Sequence, residues 1–131
     1  IGDGIMALFP KSADDALAAA LAIRNKLKEL NQDRTEAGWK PVRVGIGIHT
    51  GPLMLGTIGE NERMDSTVIS DTVNTASRLE DLTKEMKTDI IISAECVKAL
   101  TNPDRYVCYS IGTHQIRGKA TLVNMYAVQD S

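Results

Sequence analysis

The sequence predicts an α+β sandwich in which helices cover one side of a mainly antiparallel sheet. Three observations lead there. Leu17, Ala20, Ile23, Leu27 and Leu30 recur at helical spacing, Val42, Val44, Ile46 and Ile48 alternate as in a half-buried strand, and the elements run β, α, β, β, β, α, β, α, β, β. At 131 residues, with 43% hydrophobic and 24% charged residues, the chain suits one domain with a real core, taken as residues 1–131. No apolar run approaches the roughly 18 residues that a membrane span requires. A net charge of -2, from Lys+Arg 15 against Asp+Glu 17, provides no basic field for nucleic acid, so any phosphate is held locally.

Gly4–Phe9 is short and apolar and stops at Pro10, as a buried strand does. Ser12 then caps a helix, with Asp15 three residues on in the manner of a capping box. The polar stretch 31–40, with Gly38, reads as a surface connection before the strand 42–48, and Gly51-Pro52 turns the chain into a returning strand over 53–58. A charged loop over 59–65 and a short strand at Ser66–Ile69 lead to Asp71, the expected N-cap of a second helix. Asp89–Ile92 is strand-like, Ala94–Leu100 is a short helix, and Asn102-Pro103-Asp104 is a turn. Two last strands, near 106–111 and 123–128, flank Arg117-Gly118-Lys119. Cys96 and Cys108 fall in a helix and a strand without metal-type spacing, which fits two buried thiols in a reducing, cytoplasmic setting.

The second helix carries the chemistry. Asn74 and Arg78, four residues apart, share one face, opposite a stripe of Val73, Ala76, Leu79, Leu82 and Met86. A guanidinium beside a neutral amide suits a phosphate-bearing ligand better than a carbonyl or an apolar one.

Three segments, Ile1-Gly2-Asp3-Gly4-Ile5-Met6-Ala7-Leu8-Phe9, Val44-Gly45-Ile46-Gly47-Ile48-His49-Thr50-Gly51 and the run from Thr67 to Glu80, together resemble the class III nucleotidyl cyclase catalytic domain, the adenylyl and guanylyl cyclase family, most of all its bacterial-type adenylyl members. The resemblance implies a ferredoxin-like core and a head-to-tail homodimer with its active sites across the interface. It also implies that ATP becomes cyclic AMP and pyrophosphate by attack of the ribose 3′-hydroxyl on the α-phosphate. Asp3 matches one of two metal-binding aspartates for Mg²⁺ or Mn²⁺, two ions being expected. Asn74 and Arg78 match the pair that positions the ribose and meets charge developing on the phosphoryl oxygens. Thr67 matches the position that reads the purine edge, where a hydroxyl can accept from the adenine amino group. Arg117 matches a triphosphate-contacting base that is more often Lys, with Lys119 as its neighbouring alternative.

Against the family pattern, the opening strand with the other metal aspartate is expected ahead of Ile1, as is the strand with the purine-reading lysine, and Ser70 stands where Gly is usual. The chain accordingly reads as the larger, C-terminal part of a catalytic domain in a longer protein with regulatory domains, where membrane tethering by another segment stays open. GTP as substrate, or a non-catalytic dimerising module that senses nucleotide, are the alternatives. His49 and His114 belong to no metal constellation and read as structural or solvent-facing.

Overall fold

The computed structural model describes residues 4–51, 62–115 and 122–129. It is an α+β fold, as the sequence predicts: helices α1 (Ala13–Glu36), α2 (Glu62–Glu85) and α3 (Ala94–Ala99), with strands β1 (Ile46–Ile48), β2 (Ile90–Ser93), β3 (Cys108–Gln115) and β4 (Leu122–Val128). The sheet order is β1-β2-β4-β3, and the β1/β2 pair, linked through α2, is parallel while the other two pairs are antiparallel.

The helices do not share one side. Ile90 and Ile92 of β2 pack into a cluster with Leu17, Ala20 and Cys96 from α1 and α3, whereas Ile91 joins Leu79 of α2, Val123 and Met125. Successive strand residues point to opposite faces, so α2 lies on one face of the sheet and α1 with α3 on the other. The unbroken run Ile90-Ile91-Ile92 is the sequence sign of a strand covered on both faces.

Helix α1 begins where expected: Ser12 is extended and its hydroxyl accepts from the Asp15 N–H at 3.1 Å. It runs on through much of the expected connection, to Glu36, and turns at Gly38, whose φ of 83° suits a residue without Cβ. Its buried stripe is Leu17, Ala20 and Arg24, while Ile23 and Leu30 are exposed, so the expected apolar stripe is only half used. Arg24 displaces it because its guanidinium ties three elements together. Nε and Nη2 donate to the Asp89 carboxylate at 2.9 and 2.5 Å, Nη1 donates to the Gln129 carbonyl at 3.1 Å, and Nη2 donates also to that of Val128 at 2.8 Å.

Asp14 makes a second tie. Its carboxylate accepts from the Thr101 N–H at 2.7 Å and the Asn102 N–H at 3.1 Å, and these bonds, the Thr101 one foremost, hold its pKa below the ordinary carboxylate value.

Two expected strands are not formed as read. Gly4–Phe9 lies outside the sheet, with Ile5 96% exposed, because no described strand runs beside it to pair its backbone. Among the described residues, pairing within the 42–48 run is confined to Ile46–Ile48; at Val42 the Asn31 side chain bonds the main chain, donating to the carbonyl at 2.9 Å and accepting from the N–H at 2.7 Å. The expected strand 53–58 lies outside the described residues.

The Ser66–Ile69 strand and the Asp71 cap are also corrected: both fall inside α2, and the Asp71 carbonyl accepts from the Thr75 hydroxyl at 2.8 Å. A helix already propagating outweighs the weak β preference of Thr-Val-Ile. Ser70, within that helix, has no need of glycine's freedom.

Arg24→Ala is expected to lower stability by about 2 kcal/mol, since two main-chain carbonyls lose their donor while the half-exposed Asp89 is rehydrated. Urea unfolding followed by circular dichroism measures it.

Candidate active site

Helix α2 sets the site because one of its faces is fixed against β1 at backbone distance. A Cβ built on Gly47 would lie 2.5 Å from the Ala76 carbonyl oxygen and 2.9 Å from the Leu79 carbonyl carbon; one on Gly51 would lie 2.7 Å from Thr72 Oγ1. One on Gly45 would meet the Thr83 side chain. Along β1 the contacts therefore step backwards through α2, from Thr83 to Ala76 to Thr72. Sequence reading passed over this role for the glycines; the signal was Gly45 and Gly47 two apart in a strand, which marks close approach by another backbone.

Buried against the sheet on α2 are Leu79, Thr75 and Thr83, with Leu82 and Met86 half-buried beside them. The two threonines complete a stripe that sequence reading gave to apolar residues alone. Their hydroxyls stay satisfied inside the helix: Thr75 donates to the Asp71 carbonyl, and Thr83 to that of Glu80 at 2.6 Å.

Away from the core, Asn74 is exposed and Arg78 half-exposed, one helical turn apart on the same face as expected. The Arg78 Nη1 lies 3.6 Å from Asp81 Oδ2, with the two side chains 42% and 57% exposed. An ion pair this open is worth about 0–1 kcal/mol, so an arriving phosphate can replace Asp81 as the partner of the guanidinium.

One of the remaining expected site residues lies among those the structure describes. Thr67 falls within α2. Asp3 and Arg117 lie outside the described residues, as does Lys119. Among the described residues no three of His, Cys, Asp and Glu gather to hold a metal ion. Nor does any helix of the described residues have the length and apolarity to cross a membrane.

His49, at the end of β1, is far from idle surface: its side chain is 5% exposed, with Nδ1 2.8 Å from Ser93 Oγ and 3.9 Å from Glu95 Oε2. His114 lies on β3 opposite Val123. Neither cysteine is in a disulfide. Burial first, and then Cys108, push the Cys96 thiol up to about 11, which removes it as a nucleophile at neutral pH.

With this face in view, comparison with known proteins decides the family. Residues 1–130 match the adenylate and guanylate cyclase catalytic domain. The chain belongs to that family. This cyclase domain is 39% identical to an adenylate cyclase of Anabaena cylindrica, over 98% of the present chain and 27% of that protein. It is 35% identical to the terminal-differentiation-specific adenylate cyclase of Dictyostelium discoideum, over 99% of the chain and 6% of the relative. With adenylate cyclase 1 of Rhizobium meliloti it shares 31% identity, over 97% of the chain and 20% of the relative. The chain thus spans about a quarter or less of each of these relatives.

Two predictions concern the cyclase domain as a folded unit. Gly47→Ala is expected to cost about 3 kcal/mol in urea unfolding, because the new methyl meets main chain that cannot swing aside. For Cys96 the folded pKa lies above the ordinary thiol value of 9.0, so the unfolded chain releases its proton first as pH rises. Stability is therefore retained below pH 9 and declines from there towards about 11; a pH series of unfolding midpoints should show this decline, reduced in Cys96→Ala.

Proposed function

We propose that this cyclase domain is the catalytic part of an adenylate cyclase, converting ATP to cyclic AMP and pyrophosphate at sites shared by two copies placed head to tail. The observation that carries the reading is the Asn74–Arg78 face of α2, open on one side and held to β1 on the other. Similarity to three proteins named adenylate cyclase supports ATP as the nucleotide.

In this reading the ribose 3′-hydroxyl attacks the α-phosphorus, its proton is released, and the bond to the pyrophosphate oxygen breaks. The Asn74 amide orients the ribose, and the Arg78 guanidinium exchanges its weak Asp81 contact for the phosphoryl oxygens as their charge grows. Thr67 would accept from the adenine amino group, and Arg117 would bind the triphosphate with its forked donors. Asp3 would help hold Mg²⁺ or Mn²⁺, which when bound neutralises phosphate charge.

The domain in its intact protein, supplied with Mn²⁺ and either ATP or GTP, is expected to yield cyclic AMP from ATP, identified by mass spectrometry; cyclic GMP as the sole product would overturn the nucleotide assignment. Arg78→Ala should lower kcat by at least about a hundredfold with the unfolding midpoint little changed, and full turnover would exclude the role given to Arg78.

A further inference from the structure

We propose that His49 is a positioning residue for the Asn74-bearing turn of α2, acting through its hydrogen bond to Ser93. The inference rests on the reading of Asn74 and Arg78 given above and adds a residue to it.

Four residues of one chain segment run along α2. Gly45, Gly47 and Gly51 meet the helix with bare Cα atoms, at Thr83, at Ala76 and Leu79, and at Thr72 respectively. His49 stands between Gly47 and Gly51, and so between the contacts at Ala76 and Thr72 that bracket the turn carrying Asn74. It is the member of this series with a side chain to give support.

The imidazole is anchored from the neighbouring strand. Ile48 pairs with Ile92 in the parallel register, which puts His49 beside Ser93 at the carboxyl ends of β1 and β2. Ser93 has the same strand parity as Ile91, the residue that packs under α2, so the anchor is on the α2 face of the sheet. Ser93 is itself fully buried and caps α3, its hydroxyl oxygen accepting from the Cys96 N–H at 3.2 Å.

A nucleophilic role for this Ser–His–Glu group fails on geometry. Ser93 and Glu95 both approach the same ring nitrogen, Nδ1, whereas a relay needs the serine and the carboxylate on opposite nitrogens. What remains is a fixed ring: a hydrogen bond in a closed site that sets the end of β1, and with it the path through Thr50 and Gly51 beneath Thr72. Misplacement of a reacting partner by about 1 Å costs on the order of a hundredfold in rate, so a support of this kind reads out in turnover.

The test uses the intact protein and four variants. His49→Ala and Ser93→Ala are expected to lower kcat by about tenfold or more with KM changed by less than about twofold, and to speed amide hydrogen exchange over residues 71–78. His49→Asn, which can place a hydrogen-bonding atom near the former Nδ1, should recover most of the kcat and the slow exchange. Wild-type kcat and wild-type exchange in both alanine variants, or an Asn variant as impaired as His49→Ala, would overturn the proposal. If His49→Ala does not fold, Ser93→Ala and His49→Asn decide in the same way. Arg78→Ala separates the two readings: wild-type turnover there sinks the catalytic assignment of the α2 face, while the exchange of residues 71–78 still reports whether His49 holds the turn.

Discussion

Helix α2 and strand β1 touch backbone to backbone at Gly47, and the placement of everything exposed on α2 follows from that contact. A side chain at position 47 would meet the Ala76 and Leu79 main chain, so the helix lies as close to the sheet as a polypeptide allows. Close approach removes the slack that intervening side chains would leave. It fixes the helix in depth, while Leu79 in the core fixes it in rotation, and the two together leave Asn74 and Arg78 on the outer side. Mutual geometry of catalytic groups is set by such contacts far more than by their own weak surface pairings.

Strand β2 carries the rest of the architecture. With Ile90 and Ile92 in one cluster and Ile91 in the other, it joins two cores that a single sheet would otherwise separate. Its two ends are held by polar groups. At the start, Asp89 receives the Arg24 guanidinium, and its carbonyl accepts from the Ile46 N–H at 2.8 Å, so α1, β1 and the end of β4 meet at one residue. At the finish, Ser93 serves the cap of α3 and the ring of His49 together. Buried polar groups of this sort are costly unless paired, and here each described one has a partner. The apolar middle of β2 gives stability without direction, and its polar ends give the direction.

The same division appears on α2. Thr75 and Thr83 occupy core positions yet keep their hydroxyls bonded to their own helix, which lets a half-polar stripe be buried without a partner from the sheet. The opposite face turns its polar groups outward, where Arg78 makes an open contact with Asp81. A firmly paired guanidinium gives up a strong contact when it takes a new anionic partner; a loosely paired one gives up little.

The sequence alone determined the α+β class, the start of α1 at Ser12, the strands β2 and β4 to within a residue or two, and the shared face of Asn74 and Arg78. These are local matters: a cap, an apolar run and a spacing of four act within a turn or two of chain. Tertiary structure decided which residues of α1 are buried, since Arg24 gains its place only from Asp89 and the carbonyls of β4, all distant in sequence. It decided that the helices take both faces of the sheet, that Gly4–Phe9 stays outside it, and that α2 begins at Glu62 instead of after a strand. It also gave His49 a buried partner in Ser93, 44 residues along the chain. Each of these outcomes depends on what lies across space from a segment, and neither composition nor periodicity carries that information.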